Sequence, residues 1–166
     1  MTRPFPRRAA AWLPFALALG VLLAAAVWPR PGLTRHGADQ AVRTALAALE
    51  REDVDTAERE LRRLDAAGVE ADQVELIRAV VSVGRDDLVT AARIGQRLLR
   101  EARSAPIRTA ARSVLANVGY RHYRGQGVPA DAELGHRYIL EACQAGLEEA
   151  CRAEQAIRTG VPPDPP

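Results

Sequence analysis

From Gly37 onward, an acidic or hydroxyl residue able to cap a helix recurs at short intervals, and from Asp55 on a glycine or proline separates each from the next. Such side chains accept from the free N–H groups of a first helical turn, while glycine closes a last turn in the left-handed conformation. Asp39 is placed to open a helix running to about Glu52, with Val42, Ala45, Leu46 and Leu49 on one face. Asp55 followed by Glu58 has capping-box spacing, with Gly68 as the stop. Asp72 with Glu75 repeats the device, with Val74, Ile77 and Val81 inside and Gly84 as the end. Asp86 or Asp87 opens a fourth helix to about Arg103, and Ser104 before Pro106 starts a fifth that ends near Arg124. Asp131 starts a sixth, closed by Gly146, and Leu147 to Thr159 makes a seventh. Strand formers are few, alanine is abundant, and nothing alternates apolar with polar for long. The expected fold class is all-α.

The N-terminal 30 residues differ from the rest. Ala9 to Pro29 carry no charge and follow Arg3, Arg7 and Arg8. At ~1.5 Å per residue, about 20 apolar residues cross the ~30 Å hydrocarbon core of a bilayer. Trp12 and Trp28 stand towards the two ends, where indole rings favour the headgroup layer, and Pro14 falls near the start. Residues 1–30 are read as an uncleaved signal anchor with its short tail in the cytoplasm. The alternative is a secretory signal cleaved near Ala24-Ala25-Ala26. Both readings deliver the following residues to the same, periplasmic side of a bacterial inner membrane. Residues 31–38 form a linker, 39–160 one helical domain, and 161–166, with four prolines in six residues, a disordered or extended tail.

The formal charge of +2 conceals a near-neutral domain. With Arg3, Arg7 and Arg8 set aside, 20 arginines face 21 acidic residues, so a general nucleic-acid binder is not expected. Every cation is arginine. The absence of lysine excludes a P-loop lysine, a Schiff base and a serine–lysine acyl enzyme. Ser82, Ser104 and Ser113 sit in no nucleophile elbow, the histidines have no partner arrangement, and Asp86-Asp87 and Glu148-Glu149 are first-turn helix charges. Neither catalysis nor a cofactor is expected.

A period runs through the helices. Asp53 and Ala57 match Asp87 and Ala91 after 34 residues, and Asp131 with Gly135 repeats the arrangement after another 44. A 34-residue step in helical pairs is the tetratricopeptide spacing. Residues 118–150, VGYRHYRGQGVPADAELGHRYILEACQAGLEEA, resemble the Sel-one-like repeat, a longer relative of that unit. The matching positions are Gly119, the loop Gly125-Gln126-Gly127-Val128, Asp131, Tyr138, Ala142, Gly146 and Ala150, within a repeat spanning about 111–151. Gly125 and Gly127 suit a positive-φ turn between antiparallel helices, Val128 fills the gap beneath it, and Asp131 caps the second helix. Tyr138 packs back between the pair. Two positions depart from the pattern: His122 stands where the family has an aromatic residue, and Gly135 replaces the usual alanine. The resemblance implies a short solenoid of about three hairpins acting as a scaffold or adaptor.

Cys143 and Cys151 lie eight residues apart, too far for a disulfide along one continuous helix, but Gly146 between them lets the chain fold back. The spacing ACQAGLEEAC resembles the cysteine-rich secreted branch of the same proteins, and that resemblance implies a disulfide between adjacent helices. Two reduced core cysteines remain an alternative. Neither His122 nor His136 stands at a recognised ligand spacing beside them, so no metal is expected. Tyr120, Tyr123 and Arg124, in the YRHYRG stretch, are the candidate partner contacts, although packing by the rings explains them as well. The expected function is a membrane-anchored periplasmic adaptor that binds a protein through the curved face made by the first helix of each hairpin. The alternative is a module binding peptidoglycan or an anionic envelope polymer through the Arg121/Arg124 region.

Overall fold

The computed structural model describes residues 33–161 and residue 163. The anchor expected at residues 1–30 lies outside the described residues. Among the described residues no helix is long and apolar enough to cross a membrane.

The described residues form seven α-helices and no strand: α1 (Arg35–Leu49), α2 (Val54–Ala66), α3 (Asp72–Gly84), α4 (Leu88–Glu101), α5 (Ala105–Arg124), α6 (Ala132–Gln144) and α7 (Glu148–Arg158). Each helix packs against its successor, and α3 also touches α1 and α5. The odd-numbered helices α1, α3 and α5 therefore lie side by side, with α2 and α4 joining them.

Three helices begin with the same contact. The carboxylates of Asp53, Asp87 and Asp131 accept from the backbone N–H three residues on, at 3.0, 3.1 and 2.9 Å. Asp53 and Asp87 each follow a residue in the left-handed region, Glu52 (φ 59°) and Asp86 (φ 62°). That turn reverses the chain and leaves the next carboxylate facing the helix start. Four residues beyond each cap stands Ala57, Ala91 or Gly135, all buried. The small residue lets the paired helices approach. The approach is closest between α5 and α6: a Cβ at Gly135 would lie 2.5 Å from the Tyr123 nitrogen, and one at Gly119 would lie 2.8 Å from the Gly135 carbonyl oxygen and 2.9 Å from the Ile139 nitrogen.

Several helix ends differ from expectation. The first helix starts at Arg35 because the Thr34 hydroxyl accepts from the Gly37 N–H at 3.1 Å. Asp39 is an exposed residue inside it, and residues 35–38 of the expected linker are helical. Asp53, not Asp55, caps α2, since Asp55 already lies within the first turn. Ala71 precedes α3 without a side-chain cap, so Asp72 acts only as a first-turn acid. Gly84 does end α3 but not through a left-handed turn; a Cβ there would stand 2.7 Å from Val54 Cγ2.

The interior forms two clusters. One joins α1, α2 and α3 through Ala41, Ala45, Ala48, Leu61, Leu64, Ile77 and Val81. The other runs from Ala79 through α4, α5 and α6 to Ala150 and Ala153 of α7, with Leu88, Ile94, Leu115, Val118 and Ile139 fully buried in it. Helix α3 contributes to both.

Candidate functional site

Three alanines of α1 are buried, whereas its leucines are not. Ala41, Ala45 and Ala48 are at most 2% exposed, but Leu46 is 38% exposed and Leu49 half-buried. Leu49, like Val42, packs half-buried against the α1–α3 core as expected, whereas Leu46 is corrected: it stands off that core. Both leucines wall a groove of about 560 Å³ over α1, α3 and α5. Its floor is α3, with Leu76, Val80 and Val83 half-buried and Ile77 beneath. Its far wall is α5, with Ala110, Ser113, Val114 and Asn117. On each wall the positions follow helical spacing, so each helix turns a continuous stripe to the groove. Among the described residues, Glu50 is the one charged lining residue. The Asn117 Oδ1 is buried and has no hydrogen-bond partner.

A second, polar cleft of about 500 Å³ lies where α2 turns into α3, beside α4. Arg78 bridges Asp65 and Glu75 there, and Arg97 reaches the second oxygen of Glu75. Both guanidinium groups are already neutralised by carboxylates, so among the described residues the cleft offers no free cation to an anionic ligand.

The three candidate partner residues do not share one environment. Tyr120 is 4% exposed and belongs to the larger core cluster, which leaves it almost no surface for a partner. Tyr123 is half-buried and Arg124 exposed, at the end of α5, where Gly125 adopts φ 69°. The Arg124 guanidinium donates to the Pro163 carbonyl. Arg121 does not face solvent. Its side chain is 18% exposed and donates to the Val83 carbonyl at the end of α3, to Asp86, and to the Gln126 carbonyl at 3.1 Å. This clamp ties the Gly125–Val128 loop to the preceding hairpin, and a Cβ at Gly127 (φ 75°) would lie 2.5 Å from Asp86 Oδ1.

The residues of the Sel-one-like resemblance gather at the α5–α6–α7 packing. Val128 and Tyr138 pack against the larger core, and Ala142 and Ala150 are fully buried. His122, at the departure from the pattern, places its ring 6.1 Å from that of Tyr138. Gly146 (φ 95°) turns α6 into α7 and brings Cys143 and Cys151 to a Cα separation of 4.5 Å, where they form a disulfide. Both thiols are consumed, which removes them as ligands for a metal with His122 or His136. His136 instead faces Glu154 of α7 at 3.7 Å.

Sequence reasoning missed Leu76, Val80, Val83, Ser113 and Asn117. A signal was present: α3 carries more large apolar residues than one buried stripe needs, since Val74, Ile77 and Val81 already fill its inner face. No family model, curated protein or solved structure matches the chain.

Proposed function

We propose that this protein is a bacterial envelope scaffold that holds a protein partner in the groove over α1, α3 and α5. Residues 1–30 anchor it in the inner membrane, and the helices form a short solenoid of stacked hairpins on the periplasmic side. The oxidising compartment favours the Cys143–Cys151 disulfide. No nucleic acid and no cofactor enter this reading.

One observation carries it: an apolar groove about 560 Å³ in volume is open on the face made by the first helix of successive hairpins. Leucine and valine left partly in water there gain on the order of 1 kcal/mol each when covered. Three parallel stripes suit one face of an amphipathic helix. The polymer-binding alternative has no comparable support, because Arg121 is spent on the α3 end and Arg124 on Pro163.

The test is a crosslinking pull-down of the tagged full-length chain from native membranes, beside Leu46→Glu. Leu46 is exposed enough that the change should move stability by only ~0.5 kcal/mol. A protein recovered with the wild type and reduced at least tenfold with Leu46→Glu supports the groove. Equal recovery from both, or recovery of glycan polymer without protein, contradicts it.

A further inference from the structure

Both cysteines of the Cys143–Cys151 disulfide are half-buried, and together they line an open cleft of about 510 Å³ with Glu154, Gln155, Arg158 and Thr159. A water occupies ~30 Å³ in the liquid, so the cleft has room for a thiol-bearing side chain and the backbone behind it. Arg158 faces Glu154 at 3.8 Å, and these two lining charges balance, so the cleft does not repel an incoming anion.

The two sulfurs differ in their surroundings. Cys143 stands in the last turn of α6, at the negative end of the helix dipole, and its own carbonyl accepts from the Gly146 N–H at 2.8 Å. Cys151 is the fourth residue of α7, in the first turn, where free N–H groups make a positive end and Leu147 supplies no side-chain cap. Glu148 and Glu149 in that turn are exposed, and solvent screens their charge.

We propose that Cys143–Cys151 is a thiol–disulfide exchange site for a dithiol reductant, entered through this cleft, with Cys143 the sulfur attacked and Cys151 the leaving group. A thiolate of the reductant bonds to Cys143 Sγ as the Cys143–Cys151 bond breaks. Cys151 Sγ departs with the bonding pair as a thiolate and takes a proton from water. The sulfur better stabilised as an anion leaves faster, and the positive end of α7 makes that sulfur Cys151. The reductant's second thiolate then attacks its own sulfur in the mixed disulfide, and Cys143 leaves as a thiolate that is protonated in turn. The protein gains two electrons and two protons, and the reductant ends as a disulfide. The covalent fastening of α7 to α6 is then gone, so the hold of the last helix follows the redox state around it. This site shares no lining residue with the groove and does not rest on the adaptor reading.

The experiment treats the full-length chain with reduced glutathione as the probe thiol, quenches with acid and maps the peptides by mass spectrometry. The Cys143→Ser/Cys151→Ser variant, which has no sulfur left to attack, sets the background. The rate of reduction should rise in proportion to glutathione and stay unchanged in urea below the unfolding transition, because the folded protein is attacked directly. A rate that levels off with glutathione, or that climbs with urea, shows a bond reached only after the helices part, and overturns the proposal. Trapped glutathione should favour Cys143 over Cys151 by about threefold or more. Equal adducts, or a preference for Cys151, equally overturn it.

Discussion

Asp53, Asp87 and Asp131 each place one carboxylate oxygen on the third N–H of the following helix, and each is followed four residues later by a small buried residue. At Asp53 the hydrogen bond from Thr56 holds the carboxyl below its ordinary range, with Arg59 and Arg51 adding smaller attractions. A lowered folded-state value means stability that is present above the unfolded value, ~3.9, and lost as pH falls below it. Asp53→Asn keeps a good capping side chain without the charge. Its urea midpoint should therefore lie closer to the wild type at pH 3 than at pH 7, and a gap independent of pH would contradict the electrostatic reading. Glycines separate two physical causes. Gly119→Ala forces a methyl against the Gly135 carbonyl and the Ile139 backbone, and should cost about 2 kcal/mol or more. Gly68→Ala meets nothing within 4 Å and carries only the strain of φ 67°, about 1 kcal/mol. Denaturation midpoints of the two variants decide the order. The three caps were legible because Asp, a small residue and their spacing recur in the sequence. The Arg121 clamp was not, since its acceptors at Val83 and Asp86 lie a hairpin away and carry no local pattern.

At the scale of elements, α7 is the last helix described and packs chiefly on α6, so it has one neighbour where interior helices have two or more. The Cys143–Cys151 disulfide closes a loop of about nine residues around Gly146, which in the chain-entropy model stabilises by roughly 2.5 kcal/mol. The Cys143→Ser/Cys151→Ser double variant should lose about that much. The loss should appear locally: α7 amides should exchange with solvent faster, while α1 to α3 stay unchanged. Uniform acceleration through all seven helices would show instead that the disulfide supports the whole domain. Helix existence and order were readable here from caps and periodicity. Which face of α1 turned inward was not. Val42, Ala45, Leu46 and Leu49 share a stripe in the sequence, yet Ala45 is fully buried, Val42 and Leu49 pack half-buried against the core, and Leu46 stands exposed on the groove wall.

At the scale of the molecule, two interior clusters meeting at α3 make stability a sum of neighbouring contacts rather than one shared core. Among the described residues the cluster of α1 to α3 is the smaller, with nine buried residues against eighteen in the other, which holds Leu88, Ile94, Leu115, Val118 and Ile139. Native-state hydrogen exchange should therefore show α1 and α2 opening at lower free energy than α4 to α6, and a single opening energy throughout would contradict this. The groove crosses α1, α3 and α5 and so spans both clusters, which means occupancy should stiffen the weaker end. The most direct measurement is site-specific photo-crosslinking in cells. A benzophenone side chain is placed at Leu46, on the groove wall, or at Val89, which is 76% exposed on α4 and does not line the groove. The account predicts one discrete protein adduct from position 46 and none from position 89. No adduct at 46, or the same adducts from both positions, would contradict a partner held in the groove.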